Sequence, residues 1–183
     1  MMRAAIIFAN GCEEIEGLTV VDVLRRAKID ITMVSITGQL QITSSHDVRF
    51  EADALFEDVD FSDYDAIILP GGMPGSNNLY ASQALKEIVK DFAQTGKLVS
   101  AICAAPFILG QLGILEGKKA TCFPGFEDKL TGAEFIDVPV VCDGNVITAR
   151  GMGAAIDFAL AIVEYSLGEE AATELCQKFM YYR

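Results

Sequence analysis

Cys103 carries the clearest chemical signal in the sequence. It lies in Val99-Ser100-Ala101-Ile102-Cys103-Ala104-Ala105-Pro106, between a strand-length apolar run and a helical segment. A side chain on a sharp strand-to-helix turn is held out of the sheet, often on a strained backbone. The N–H groups that open the next helix lower a thiol's pKa and favour the thiolate. The same donors could hold an oxyanion. Position alone leaves two readings open, a nucleophile or a cysteine packed as a small apolar residue.

A thiolate needs a partner that moves protons. Glu13, Glu14 and Glu16 cluster at the start of a helical segment. Carboxylates there complement the helix dipole, which accounts for two of them. Glu16 follows Ile15 on the apolar side, where burial beside a thiol would raise its pKa and keep it protonated. Gly71-Gly72 reads as a tight turn or as a place where backbone N–H groups approach a substrate. It lacks the Gly-x-Gly-x-x-Gly spacing of a dinucleotide site, and no Walker-type lysine accompanies it. His46 is the only histidine. Its place in a hairpin turn, far in sequence from Cys103, reads as solvent exposure. Cys12, Cys122, Cys142 and Cys176 read as packing residues, with Cys12 and Cys122 in loops within reach of Cys103.

The elements that must position these residues alternate in type. Ala4–Ala9 is a buried strand, and Glu13–Ala27 a helix with Ile15, Leu18, Val21, Val23 and Leu24 on its apolar face. Ile29–Ile36 is a second strand, and 39–51 a hairpin turned near Ser44-Ser45-His46. Strands follow at 64–69 and 97–102, and short extended segments at 119–121, 138–142 and 146–149. Ser82 caps a helix to about Gln94. Further helices cover 104–112 with Pro106 in the first turn, about 152–167, and 169 to about 179. Such alternation predicts a mostly parallel sheet covered on both faces, with no linker to divide 1–183. Ligands bind outside the carboxyl ends of the strands in these sheets. The loops 10–16, 70–74 and the turn at Cys103 should therefore converge.

Composition bounds the rest. The 183 residues are 51% hydrophobic and 22% charged, which excludes wholesale disorder. Fourteen Lys and Arg face 26 Asp and Glu, for a net charge of -12. Nucleic-acid and anionic-membrane surfaces reward basic clusters, so neither is an expected partner. Five cysteines are an odd number without paired C-x-x-C spacing, so zinc, other metals and a disulfide framework are not expected. The amino terminus does not read as a signal peptide, and no apolar stretch approaches about 18 residues. A reducing, cytoplasmic setting is expected.

Five segments in order, Glu13-Glu14-Ile15-Glu16, Leu69-Pro70-Gly71-Gly72, Ala101-Ile102-Cys103-Ala104-Ala105-Pro106, Thr121-Cys122-Phe123-Pro124 and Ala149-Arg150-Gly151-Met152-Gly153, resemble the ThiJ/PfpI superfamily. The resemblance runs from about Arg3 to the final helix and is nearest to the bacterial YajL-like branch, a relative of the human Parkinsonism-associated deglycase. It implies a flavodoxin-like α/β three-layer sandwich and a homodimer, and no cofactor is expected. It further implies an oxidation-prone nucleophile at Cys103, a protonated carboxyl at Glu16, and an oxyanion pocket from the N–H groups of Gly72 and Ala104. Members are described as glutathione-independent glyoxalases on small aldehydes, deglycases of glycated protein, redox-sensing chaperones and proteases. The human relative has histidine at the position of Phe123, and protease-branch members have histidine at the position of Ala104. The missing base demotes the protease reading. His46 stands where the family has an arginine that reaches the partner subunit's site, and so is a candidate interface residue.

Overall fold

Ala4 to Phe8 are buried at every position, as only a strand covered on both faces requires. A computed structural model describes residues 2–182 and places that run as β1 (Arg3–Phe8). Then comes α1 (Glu14–Arg26), capped by the Glu13 carboxylate on the Ile15 N–H (3.4 Å) and closed by Arg25 and Arg26 at its negative end. Gly17 lets α1 lie against the sheet. A Cβ there would stand 2.3 Å from the Phe8 ring. Next are β2 (Asp30–Ser35), the hairpin strands β3 (Gln41–Thr43) and β4 (Arg49–Glu51), and a short β5 (Ala54–Leu55). β6 (Ala66–Leu69) is followed by α2 (Gly75–Ala81) and by α3 (Gln83–Gln94), whose Ser82 hydroxyl accepts from the Leu85 N–H. β7 (Leu98–Ile102) leads into α4 (Pro106–Gln111). The pair β8 (Lys119–Ala120) and β9 (Glu134–Phe135) precedes β10 (Val140–Asp143) and β11 (Val146–Ala149). The described chain closes with α5 (Ala155–Leu167) and α6 (Glu169–Phe179).

The central sheet has seven strands in the order β10-β11-β7-β6-β1-β2-β5. Every neighbouring pair is parallel except β10 with β11, which gives the sheet one antiparallel edge. Two apolar layers flank it, α1, α5 and α6 on one face and α2, α3 and α4 on the other. This is the expected flavodoxin-like sandwich. After β5 the chain returns to the other side of β1, so the order reverses between β1 and β6. Loops leaving those strands part there and open a crevice at their carboxyl ends.

Three local expectations differ from the structure. Ile15 is exposed and Leu18 half-buried, because α1 turns Glu16, Gly17, Val20, Val21, Val23 and Leu24 inward instead. The segment after Pro74, to which the sequence pattern assigns no element, is helix α2, whose Gly75 gives no helical signal. The helix expected from 152 starts with a single 3-10 turn, Met152–Ala154, and becomes α-helical at Ala155. Among the described residues, no helix is long and apolar enough to cross a membrane.

Candidate active site

Cys103 directly follows β7 and has φ 67°, a left-handed conformation that costs a non-glycine residue of order 1 kcal/mol or more. Two backbone hydrogen bonds hold it there. Its N–H donates to the Ala149 carbonyl of β11 (2.9 Å), and its own carbonyl accepts from the Phe123 N–H (2.8 Å). The side chain is thereby directed out of the sheet plane at the carboxyl end of β7, and is half-buried.

The Glu16 carboxyl reaches the same point from α1. It is 1% exposed, and its Oε2 accepts from the Gly71 N–H at 2.9 Å. Its Oε1 is buried without a hydrogen-bond partner of its own, an arrangement that favours the neutral acid. Burial, the largest cause, raises the Glu16 pKa from 4.5 to about 7, against the pull of the Cys103 and Gly71 hydrogen bonds. Gly71 makes this approach possible. A Cβ there would lie 2.5 Å from Cys103 Cβ and 2.5 Å from Glu16 Oε2. Close approach, rather than turn geometry, is what this glycine supplies.

The thiol departs from the simple helix-start expectation. The N–H groups of Gly72 and Ala104 both bond to the Cys103 sulfur and pull its pKa down, as expected. Burial and the Glu16 carboxylate push the other way and carry it up to about 12. The two groups therefore titrate as one system. Below about pH 7 both groups are protonated, and above it the pair shares one proton and one negative charge. With that proton on Glu16, the carboxylate's repulsion is gone and the sulfur faces three donors.

The loops after β1, β6 and β7 do converge, and Cys103, Glu16, Gly72 and Ala104 form one cluster. His46 is not in it. Its Nδ1 lies 3.3 Å from Glu14 Oε2 and 3.5 Å from Glu13 Oε2, which ties the β3–β4 turn to the start of α1. The turn residue is exposed, as expected, yet it is ion-paired. Glu13, Glu14 and His46 bring ligand-type atoms within 4.8 Å of one another, and both carboxylates raise the histidine's pKa. Cys12, Cys122 and Cys176 are buried, as packing residues should be. Cys142 is not. It is exposed on the edge strand β10.

Gly151 completes the cluster without having been singled out. A Cβ built on it would lie 3.3 Å from the Phe123 ring and 3.9 Å from Cys103 Sγ. The only sequence signal for it was its place in Ala149-Arg150-Gly151-Met152-Gly153.

A doubly wound sheet with a strained cysteine against a buried carboxyl defines a class of cysteine-bearing α/β proteins. The chain belongs to the DJ-1/PfpI family, whose model matches residues 2–165. Protein DJ-1 homolog B of Arabidopsis thaliana is 39% identical over 175 residues, 94% of this chain. The chain spans only 40% of that relative's length. Parkinson disease protein 7 homolog of Danio rerio is 40% identical over 177 residues, 94% of each chain. Glutathione-independent glyoxalase DJR-1.2 of Caenorhabditis elegans is 34% identical over 165 residues, 89% of this chain and 87% of that protein. Among solved structures, oxidized Toxoplasma gondii DJ-1 superposes with a TM-score of 0.96 at 32% identity over all of both chains.

Proposed function

We propose that the chain is a glutathione-independent glyoxalase with deglycase-like reach, in which Cys103 is the nucleophile and Glu16 the acid and base. The observation that carries this reading is the buried Glu16 carboxyl shared with a thiol on a left-handed corner. A proton acceptor that must also donate works best with a pKa near the operating pH, and about 7 meets that condition. The relative named as a glutathione-independent glyoxalase supports the same choice.

The sulfur adds to the aldehyde carbon of a 2-oxoaldehyde, and the carbonyl electron pair moves onto oxygen. The N–H groups of Gly72 and Ala104 hold that oxygen until it takes the Glu16 proton. Glu16, now a carboxylate, removes the hydrogen of the former aldehyde carbon as a proton, leaving an enediolate. That proton returns to the neighbouring carbon while the hydroxyl proton passes between the two oxygens. The first carbon is now a thioester and the second an alcohol, so oxidation and reduction balance within the substrate. Water then cleaves the carbon–sulfur bond, releasing a 2-hydroxy acid and the thiol. With no histidine in reach to activate that water, turnover is slow. We place residues 1–183 in a single ThiJ/PfpI-type domain, working as a cytoplasmic homodimer. The exposed Ile15 beside the Glu13–Glu14–His46 cluster is consistent with an interface near the site. Following lactate formation from methylglyoxal tests the chemistry: Cys103→Ser should reduce it to the uncatalysed rate, and an equal rate in both proteins would overturn it.

A second reading is a redox sensor or holdase chaperone, with Cys103 oxidised to sulfenic or sulfinic acid. It is favoured by the solved Toxoplasma relative being an oxidized form. Mild peroxide followed by peptide mass spectrometry should then place the added oxygen on Cys103, whereas uniform oxidation of all five thiols would exclude it.

A further inference from the structure

Three large apolar side chains stand exposed on three loops that meet at Cys103. Phe123 is 47% exposed, Met73 44% and Met152 55%. Met73 follows Gly72, whose N–H bonds to the sulfur. Met152 follows Gly151, whose missing Cβ leaves the space between sulfur and the Phe123 ring open. Phe123 is fixed most firmly, since its N–H donates to the Cys103 carbonyl and its carbonyl accepts from the Phe126 N–H. The ring and the nucleophile therefore share one backbone support. Scattered exposed apolar residues need no explanation, but three on loops that meet at one thiol mark a surface that a ligand covers.

The charges nearby narrow the ligand. Arg150, on the same loop as Gly151, is ion-paired with Asp137. Glu13 is close enough to raise the Glu16 pKa, so its charge opposes an incoming anion. Neither feature suits a phosphate or carboxylate on the substrate.

We infer that the site prefers neutral 2-oxoaldehydes with an aryl-sized apolar substituent, and that Phe123 is the residue setting this preference. The inference rests on the glyoxalase reading for its chemistry, but its geometry concerns only which aldehyde sits against the thiol. The aldehyde carbon lies at the sulfur, and the substituent lies over Gly151 along the ring. Because the ring is half in solvent, covering it with an apolar group removes area from water on both partners. A pocket contact of this size discriminates by about tenfold or more.

The test uses phenylglyoxal and methylglyoxal as probes with the full chain. Wild type should show the higher kcat/KM for phenylglyoxal, and Phe123→Ala should lower the phenylglyoxal-to-methylglyoxal ratio about tenfold. Phe123→Leu should fall between the two. Protection of Cys103 from iodoacetamide by each aldehyde, read by mass spectrometry, gives the same ratio without turnover. If neither aldehyde turns over yet phenylglyoxal protects better and loses that advantage in Phe123→Ala, the glyoxalase reading fails and the preference stands. A ratio that Phe123→Ala leaves unchanged, in turnover or in protection, overturns the preference whatever becomes of the glyoxalase reading.

Discussion

Cys103 and Cys142 occupy opposite kinds of place in one sheet. Cys142 lies on the antiparallel edge strand β10, exposed, on backbone that regular pairing with Ile147 holds extended. Cys103 lies at the interior strand β7, half-buried, on a left-handed corner between a buried carboxyl and two N–H donors. Accessibility and proton handling are thus assigned to different thiols. The exposed one meets any reagent. On the proposed reading, the half-buried one exchanges a proton with Glu16 while it forms a bond, which would select small electrophiles whose reaction needs that exchange.

Removing the Glu16 charge should sharpen this contrast most. A carboxyl whose pKa is raised in the folded state favours folding fully below its ordinary 4.5 and loses that contribution as pH rises through about 7. At 1.36 kcal/mol per unit the difference is about 3 kcal/mol. Glu16→Gln should therefore gain up to about 3 kcal/mol on wild type between pH 4.5 and 7, then stay parallel to it. Urea denaturation across that range measures it, and parallel curves throughout would mean that Glu16 is not a buried acid. The same variant should slow methylglyoxal chemistry at Cys103 and leave maleimide labelling of Cys142 as it was.

Gly71→Ala tests the contrast sterically. The new methyl would meet Cys103 Cβ, Glu16 Oε2 and the Ile102 carbonyl, the last at 2.9 Å. Overpacking of this kind costs about 2 kcal/mol. It should also part the thiol from the carboxyl, so that Cys103 loses its preference for aldehydes over maleimide. Thermal unfolding and adduct mapping read the two effects separately.

How far these contacts were legible in the sequence depends on what carries each one. Cys103 on its turn, the Ser82 cap and the alternation of strands with helices follow from local patterns, which is why their places agree with the structure. Glu16 was legible because a carboxyl on an apolar flank is a visible conflict. Ile15 was misplaced by the same periodicity, since no residue type announces that Gly17, packed on Phe8, rotates the helix. The role of Gly71 as a gap for Cys103 and Glu16 depends on α1, β6 and β7 meeting, and no single segment encodes it. Cys142 needed the strand order. Only the position of β10 at the edge, outside β11, separates it from a packed thiol.

Cys142→Ser approaches the comparison from the other side. An exposed edge position tolerates this change within about 0.5 kcal/mol. A brief treatment with a bulky maleimide should label wild type mainly at Cys142 and the variant hardly at all, with methylglyoxal turnover equal in both. Peptide mapping that found the maleimide first on Cys103 would erase the distinction between the two sites.

His46 should have the smallest effect, because the pair it forms is open to water. Hydrogen bonding to Glu14 and the nearby Glu13 charge raise its pKa above 6.5. A histidine shifted this way contributes fully below 6.5, and the contribution is lost as pH rises through the raised value. His46→Ala should therefore lower Tm slightly at pH 5.5 and not at all at pH 9. Because solvent and salt screen exposed pairs, the difference at pH 5.5 should shrink in 0.5 M salt. If the turn also positions Glu16 through α1, the pH dependence of Cys103 alkylation should shift in the variant as well. An unchanged alkylation profile, together with an unchanged oligomeric state by light scattering, would confine His46 to local pairing and leave the Cys103 site independent of the hairpin.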